Sequence, residues 1–158
     1  MNRFRYISLL VLILLCADVH GQYFKKLTMK DGLSNPSVLA IYQDTLGRMW
    51  FGTNEGVNVY DGNQISRYKS YNVVRNGKQE RELLNGTVNE IVDDSQGNVL
   101  LLNKGALIKY DIRKEAFHKI VPRDIGALAV LGEEVWCSVR DSLFRYDLEG
   151  DSLHGSFI

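Results

Sequence analysis

Residues 38–61 read VLAIYQDTLGRMWFGTNEGVNVYD. In this stretch, β-branched, apolar and aromatic residues fall into three runs, as in strands that cross a packed interior, at 38–43, 48–53 and 57–60. Two turns separate the runs, Asp44-Thr45-Leu46-Gly47 and Asn54-Glu55-Gly56. An Asp side chain can accept backbone N–H hydrogen bonds in a turn, and Gly adopts positive φ without a Cβ clash. With a fourth run at 64–68, the sequence predicts a four-stranded antiparallel sheet.

This unit recurs further along the chain. An offset of 50 residues carries Asp44 to Asp94 and Trp50 to Leu100, and a second offset of 36 carries Leu100 to Trp136. Each unit ends its third strand with Tyr-Asp, at 60–61, 110–111 and 146–147. A repeat of about 40 residues with four short strands is typical of a β-propeller blade. The predicted fold class is therefore all-β: an incomplete β-propeller of about three four-stranded antiparallel blades, at about 38–70, 87–121 and 125–158.

Residues 22–28 predict a lone strand that has no hairpin partner before it. In a propeller, such a strand would complete the last blade and hold the ring shut. Closed propellers have at least about four blades, and three blades in a row would leave two apolar sheet faces open to water. We therefore expect 22–158 to be part of a larger propeller, and the polypeptide to be a fragment of a longer protein.

The N-terminus predicts export. An apolar run at 7–15 follows two arginines and is too short for a transmembrane helix of about 20 residues. Small residues at the −3 and −1 positions favour cleavage before Gln22, so 1–21 is predicted to be a signal peptide and the product to be periplasmic. Lipidation at Cys16 and an uncleaved anchor are the alternatives.

Composition and spacing argue against several functions. The 19 basic and 19 acidic residues cancel, and no basic cluster exceeds Lys25-Lys26, so there is no electrostatic case for binding nucleic acid. His118 and His154 lie too far apart in sequence to suggest a metal site. Cys137 lies within an apolar strand, which predicts a small buried side chain rather than a reactive thiol. We assign no metal, no cofactor and no catalytic residue.

The first unit closely resembles the two-component regulator propeller repeat. The residues that carry the resemblance are Asp31-Gly32-Leu33-Ser34, 38–44, 47–53 and 56–62. The match is dense in the first unit, degraded in the second and weak in the third. This repeat builds the periplasmic sensor region of hybrid two-component systems of the Bacteroidetes type, which continue into more propeller blades, an immunoglobulin-like domain, a membrane helix and a histidine kinase.

The resemblance implies a function that the residues alone do not indicate. Members of the family whose signals are known sense breakdown products of polysaccharides and switch on genes for the use of those polysaccharides. It therefore implies an oligosaccharide ligand, contacts with the rest of the propeller and with downstream domains, a homodimer at full length and anchoring in the inner membrane. The kinase is absent from this chain, which is thus not expected to be an enzyme.

Four residues are candidate ligand contacts: Asn54, Glu55, Arg140 and Asp141. They occupy the turn between the second and third strands of the first and third units. In propellers, that turn and the loop to the next blade share a face, and ligands usually gather there. Exposed amide and charged groups can pair with sugar hydroxyls. The alternative is that these are turn residues without a further role.

Other conspicuous residues are predicted to be structural. Trp50 and Trp136 are expected to pack between neighbouring blades, and Asp44 and Asp94 to cap their turns. Residues 70–86 are polar and are predicted to be a solvated connector, with a lip over a ligand site as the alternative.

Two other classes of propeller stay open. Asp-x-x-Gly-x-x-Trp at 44–50 resembles sialidase Asp-boxes and quinoprotein docking motifs, so a secreted sialidase, lyase or quinoprotein-like enzyme is one alternative. The sialidase box, however, has one residue fewer between Asp and Gly, and no arginine triad can be assigned. A scaffold propeller without a small-molecule ligand is the other.

Overall fold

The computed structural model describes residues 24–75, 77–121, 124–132, 134–147 and 152–157. The predicted signal peptide at 1–21 lies outside these ranges. A 3-10 turn at Met29–Asp31 precedes the strands, which are β1 (Val38–Gln43), β2 (Met49–Thr53), β3 (Gly56–Tyr60), β4 (Ile65–Tyr68), β5 (Ser70–Arg75), β6 (Lys78–Leu83), β7 (Val88–Asp93), β8 (Val99–Asn103), β9 (Ala106–Asp111), β10 (Ala116–Val121), β11 (Ile125–Leu131), β12 (Glu134–Val139), β13 (Ser142–Asp147) and β14 (Ser152–Phe157).

The strands form three four-stranded antiparallel sheets, each of which is one propeller blade. Blade 1 is β1-β2-β3-β4, blade 2 is β7-β8-β9-β10 and blade 3 is β11-β12-β13-β14. A separate hairpin, β5-β6, is inserted between blades 1 and 2. Most of the blade strands begin and end within one residue of the predicted positions. The all-β, incomplete-propeller prediction is confirmed.

The repeat extends to the details of strand pairing. In blade 1 the register of β1 against β2 shifts between Val38 and Ala40, and in blade 2 that of β7 against β8 shifts between Val88 and Glu90. Blade 3 has a corresponding irregularity at the start of β11. The first strands of the three blades are also neighbours, since β7 packs against both β1 and β11. The blades are thus copies in geometry as well as in sequence.

Apolar side chains fill the space between successive blades in two layers. In blade 2, alternate residues of β8 point to opposite sides: Leu101 joins the layer shared with blade 1, and Leu100 and Leu102 join the layer shared with blade 3. Every residue of β8 is buried as a result. This explains why β8 reads as a continuous apolar run rather than as an alternating one.

Trp50 is the centre of the layer between blades 1 and 2. It is fully buried, and its ring lies parallel to that of Tyr68 and tilted against that of Tyr110, with centroids 6.1 and 4.9 Å away. The ring of Phe117 approaches edge-on at 6.5 Å. Two of these partners belong to blade 2, so the prediction of inter-blade packing is confirmed for Trp50. Such aromatic pairs add to the free energy that burial alone contributes.

Trp136 occupies the equivalent position in blade 3 but is only partly buried. Its neighbours in β12, Val135 and Cys137, point the other way, into the layer with blade 2. The structure describes no blade on the side of Trp136, and inter-blade packing of this residue stays a prediction.

The opposite end of the array leaves a second apolar face uncovered by described residues. Ile41 in blade 1 is 62% exposed, whereas its equivalent in blade 2, Ile91, is 8% exposed because blade 1 covers it. Leu39, on the same side of β1, is 47% exposed.

Two segments outside the blades differ in local structure from what the sequence suggests. Residues 24–28 of the predicted strand at 22–28 are not in a strand, and Phe24 is 86% exposed. A strand needs a hydrogen-bonded neighbour, and the described strands do not include the last blade that this segment would complete, so its closing role stays a prediction. The connector predicted at 70–86 has regular structure, because β5 and β6 form the inserted hairpin within it.

The inserted hairpin is attached to blade 2 through one side chain in particular. Tyr71 is 5% exposed, and its ring lies 5.9 Å from that of Phe117 in β10. Glu82 accepts a hydrogen bond from the Tyr71 hydroxyl at 2.7 Å and also pairs with Lys119 of β10. The sequence alone does not predict β6, because most of its side chains face water and the charged run at 78–82 resembles a loop.

Among the described residues, no helix is long and apolar enough to cross a membrane.

Substitution of Gly52 by alanine tests the contact between blades 1 and 2. A Cβ at this position would lie 2.5 Å from the Val88 backbone oxygen in blade 2, so the blades would have to separate. We expect Gly52→Ala to lower the free energy of unfolding by about 2 kcal/mol, as overpacked cores do. Chemical denaturation measures this loss. Gly126→Ala is the control, because its Cβ would meet only the Ser138 hydroxyl, a single side-chain atom that can rotate away with the loss of its hydrogen bond from the Ala127 N–H, and it should cost about 1 kcal/mol. Equal losses for the two variants would contradict close inter-blade contact at Gly52.

Candidate functional site

The buried carboxylates of the first turns are structural. In blade 1, Asp44 Oδ1 accepts hydrogen bonds from the backbone N–H groups of Leu46 at 3.0 Å and Arg48 at 2.9 Å. Asp94 Oδ1 does the same in blade 2 for Gln96 and Asn98, both at 3.0 Å. The prediction that the two aspartates cap their turns is confirmed.

Asp44 also ties its turn to the inter-blade layer. Its Oδ2 accepts hydrogen bonds from Arg48 Nε at 2.7 Å and Trp50 Nε1 at 2.8 Å. Burial by itself would raise the pKa of the Asp44 carboxyl, but the hydrogen bonds from Trp50 and Arg48 outweigh it and hold the pKa below its usual value of 3.8. The Arg48 guanidinium lies 5.7 Å from the ring centroids of Trp50 and Tyr110, within cation–π range.

The turns between second and third strands lie against the following blade. Gly56 has a φ of 101°, and a Cβ there would lie 2.6 Å from the carbonyl oxygen of Leu84, in the segment that leads into blade 2. Gly105, in the equivalent turn of blade 2, accepts a hydrogen bond from the Ile125 N–H of blade 3 at 2.9 Å. In both blades, the turn between the second and third strands therefore lies beside the segment that leads into the next blade.

The loop before blade 1 is fastened to the same end of the blade. The Ser34 N–H donates to Asn58 Oδ1 at 2.9 Å, and Asn58 Nδ2 donates to Ser34 Oγ at 2.8 Å. Thr53 Oγ1 lies 3.0 Å from Ser34 Oγ and donates to the Gly56 carbonyl at 2.9 Å. Asn58 and Thr53 are buried, so these bonds hold the loop and the second turn of blade 1 together.

A cleft of about 540 Å³ opens between blades 1 and 2 at this junction. The second turn of blade 1 forms one wall, the base of the inserted hairpin forms another, and the second turn of blade 2 closes the third side. The residues that line it are Ser34, Asn54, Glu55, Val57, Arg67, Tyr68, Lys69, Leu83, Asn85, Gly86 and Lys104. Clefts of a few hundred Å³ between structural units are common ligand sites.

The structure places the four sequence-predicted residues in two separate turns. Asn54 and Glu55 are exposed and line the cleft. Arg140 and Asp141 lie in the equivalent turn of blade 3 and do not line it. The Arg140 guanidinium faces solvent and lies 3.4 Å from Asp124, which precedes β11. The four residues therefore do not form one pocket, although they occupy repeated positions.

Sequence reasoning missed the cationic and hairpin residues of the cleft. Lys104 could have been found, because the offset of 50 residues carries Asn54 to Lys104. Arg67, Lys69 and Asn85 have no such signal, since they reach the cleft from the end of β4 and from the base of the inserted hairpin. Leu84 N donates to the Lys69 carbonyl at 2.9 Å and so closes that base beside the cleft.

The described ranges contain neither a cluster of possible metal ligands nor an exposed cysteine thiol. No group of three or more His, Cys, Asp or Glu side chains in that part of the chain could hold a metal ion. Cys137 is 1% exposed, and burial raises the pKa of its thiol to about 11. The prediction of a small buried side chain at this position is confirmed.

Comparison with known proteins agrees with the resemblance of the first unit. Residues 32–55 match the family model described as "Two component regulator propeller". Among curated proteins, the chain is similar to Histidine kinase P4 of Formosa agariphila, with 45% identity over 47 residues. This alignment covers 30% of the chain and 3% of that relative.

Solved structures share the fold. One is the extracellular domain of BT3049 from B. thetaiotaomicron, described as a hybrid two component system. It superposes with a TM-score of 0.66 at 22% identity, covering 83% of this chain and 20% of that one. For the extracellular domain of BT4673 from the same organism, the TM-score is 0.58 at 22% identity, over 77% of this chain and 15% of that one.

Blade 1 thus carries a two-component regulator propeller repeat, and the chain has the fold of these extracellular domains. It spans a fifth or less of the length of each of these proteins.

The Asp44 carboxylate gives a prediction about acid stability. Because the folded-state pKa lies below the usual 3.8, ionised Asp44 stabilises the fold above about pH 4, and this stabilisation is lost as pH falls toward the folded-state pKa. Asp44→Asn should lower the free energy of unfolding by about 2 kcal/mol at pH 7, since an amide N–H₂ would face the donors of Arg48 and Trp50.

The measurement is denaturation of Asp44→Asn and of the unmodified protein at pH 7 and at pH 3. The difference between the two should shrink at pH 3, where the unmodified protein has lost part of the contribution of the carboxylate. Glu115→Gln removes an exposed carboxylate outside the turn and serves as the control, with little change expected at pH 7. A difference that grows toward pH 3 would contradict the assigned direction of the pKa shift.

Proposed function

We propose that this chain is part of the periplasmic ligand-sensing propeller of a hybrid two-component regulator, and that its ligands are oligosaccharides. One observation carries the proposal: the regulator propeller repeat at 32–55 contains Ser34, Asn54 and Glu55, which line the cleft between blades 1 and 2. Residues of the family repeat therefore form part of the wall of this cleft.

The lining of the cleft suits a sugar. Asn54 and Asn85 each offer amide donors and acceptors, and Glu55 offers a carboxylate acceptor, which are the groups that pair with hydroxyls. Leu83, which is 66% exposed, and the partly buried Tyr68 add apolar surface beside them, which can contact the C–H face of a sugar ring. A few convergent polar groups on an apolar background are typical of small-ligand sites.

Binding rather than chemistry is the expected role. Hydrolysis of a glycosidic bond generally uses two carboxyl groups about 5 to 9.5 Å apart. Glu55 is the single carboxylate among the residues that line the cleft, and the buried Asp44 and Asp94 are engaged in their turns. We therefore propose a sensory module, with phosphoryl transfer left to a kinase domain elsewhere in the natural protein.

The position of the cleft suggests how a signal would leave it. A ligand that contacts the turn of blade 1 and the turn of blade 2 stabilises one relative arrangement of the blades over others. Such differential binding shifts a conformational equilibrium without any chemical step. In this proposal the shift passes through the rest of the propeller to downstream domains, in a homodimer anchored in the inner membrane. Arg140 and Asp141 are proposed as further contacts at the same turn of blade 3.

Asn54 provides the test. The probe is an oligosaccharide that a thermal-shift screen of a broad glycan panel identifies as a ligand of the natural-length protein. Asn54→Ala should weaken its binding about three- to tenfold, because one or two neutral hydrogen bonds are lost. Calorimetry measures the affinity. Asn63→Ala is the matched control: Asn63 is exposed in the turn after β3, outside the cleft, and its replacement should leave the affinity unchanged.

Two results would overturn the proposal. The first is a natural-length protein that shows no thermal shift with any glycan of the panel. The second is an affinity that changes equally in Asn54→Ala and Asn63→Ala, which would place the ligand elsewhere.

A further inference from the structure

The cleft carries an excess of positive charge that the chain as a whole does not have. The chain contains 19 basic and 19 acidic residues, so its formal net charge is zero. Three cationic side chains line the cleft, Arg67, Lys69 and Lys104, against one carboxylate, Glu55. Within the described ranges, none of the three cations forms an ion pair with a carboxylate.

Arg67 is held in place by backbone groups. Its Nη2 donates to the Leu33 carbonyl at 2.9 Å, and its Nε donates to the Gly32 carbonyl. Both acceptors are neutral, so the positive charge stays uncompensated while the side chain is fixed. A guanidinium has five N–H donors, and further donors remain for a ligand.

Lys104 reaches across the loop that leads into blade 2. Its Nζ donates to Asn85 Oδ1 at 3.2 Å, again a neutral acceptor. Lys69 is exposed on the other side, beside the base of the inserted hairpin. The cations therefore come from three elements that face one space: the end of blade 1, the hairpin base and the second turn of blade 2.

We propose that this cleft takes acidic saccharides, in which a carboxylate or sulfate group pairs with Lys104 and Lys69 next to the fixed charge of Arg67. Hydroxyl groups of the same sugar bind Glu55 and the neighbouring amides. The inference rests on the proposed sensory function and narrows its ligand class. An anionic acceptor is preferred because it adds Coulombic attraction to the charge-assisted hydrogen bond that a Lys or Arg donor also gives a neutral hydroxyl, and because an anion offsets the positive charge of three neighbouring cations.

The probes are two matched pairs. The first is trigalacturonate and its fully methyl-esterified form, which have the same sugar skeleton and differ in charge. The second is a sulfated galactan oligosaccharide and its desulfated form. Titration calorimetry on the natural-length protein compares the members of each pair, and the two pairs distinguish carboxylate from sulfate as the recognised group. At least one acidic probe should bind at least about tenfold more tightly than its neutral form. The affinity of that acidic probe should fall when salt is added.

Variants test the residues. Lys104→Gln should weaken binding of that acidic probe about tenfold and leave its neutral counterpart unaffected, with Lys69→Gln acting in the same direction. Lys104→Arg keeps the charge and should retain most of the affinity, which separates loss of charge from loss of structure. Lys78→Gln is the control, because Lys78 is exposed at the start of β6 and lies outside the cleft.

The outcomes separate this inference from the proposed function. Neutral probes that bind as tightly as acidic ones, or Lys104→Gln behaving like Lys78→Gln, overturn the acidic preference and leave oligosaccharide sensing intact. The acidic preference is likewise overturned if no acidic probe binds while neutral members of the glycan panel do. Absence of binding by every glycan, acidic or neutral, overturns the proposed function and the acidic preference with it.

Discussion

The apolar layer between neighbouring sheets is the interaction on which this molecule depends. A four-stranded sheet of this kind has two apolar faces, and a blade can bury both only when it has a neighbour on each side. Blade 2 meets this condition, with Leu101 buried against blade 1 and Leu100 against blade 3. Blade 1 exposes Ile41 where blade 2 buries the equivalent Ile91. The stability of each sheet is therefore shared with its neighbours, as in other repeat architectures.

The same layer also determines where the cleft between blades 1 and 2 lies. Because Trp50 and its partners bring blades 1 and 2 into contact, the turn at Gly56 lies against the Leu84 carbonyl in the segment that leads into the next blade. A cleft forms where the two blades and the inserted hairpin do not fill the space between them. Residues with no relation in sequence, such as Glu55 and Lys104, thereby become the walls of one site. A ligand bound there touches the interface that holds the array together.

Much of the fold could be predicted from local patterns. The runs of apolar residues, the Asp-capped turn at 44–47 and the repeated Tyr-Asp located the blade strands closely, because these signals act over a few residues. The inserted hairpin was missed, since its charged run at 78–82 resembles a solvated loop and its folding relies on the contact of Tyr71 with Phe117. Residues 24–28 are not in a strand for the related reason that pairing needs a partner strand, and the last blade that this segment would complete is not among the described strands. Of the candidate site residues, Asn54 and Glu55 line the cleft, whereas Arg140 and Asp141 do not.

The order of the residues is enough to define the repeating unit: its strand order, its capped turns and the residue that anchors each second strand. Hydrogen bonds within a turn and the alternation of side chains along a strand are local, and they can be read from neighbouring letters. That Arg67, Lys69 and Lys104 surround one space, so that a neutral chain has a cationic cleft, follows from the packed fold alone. That arrangement arises from packing between blades, which joins residues far apart in the chain, and local patterns carry no record of it.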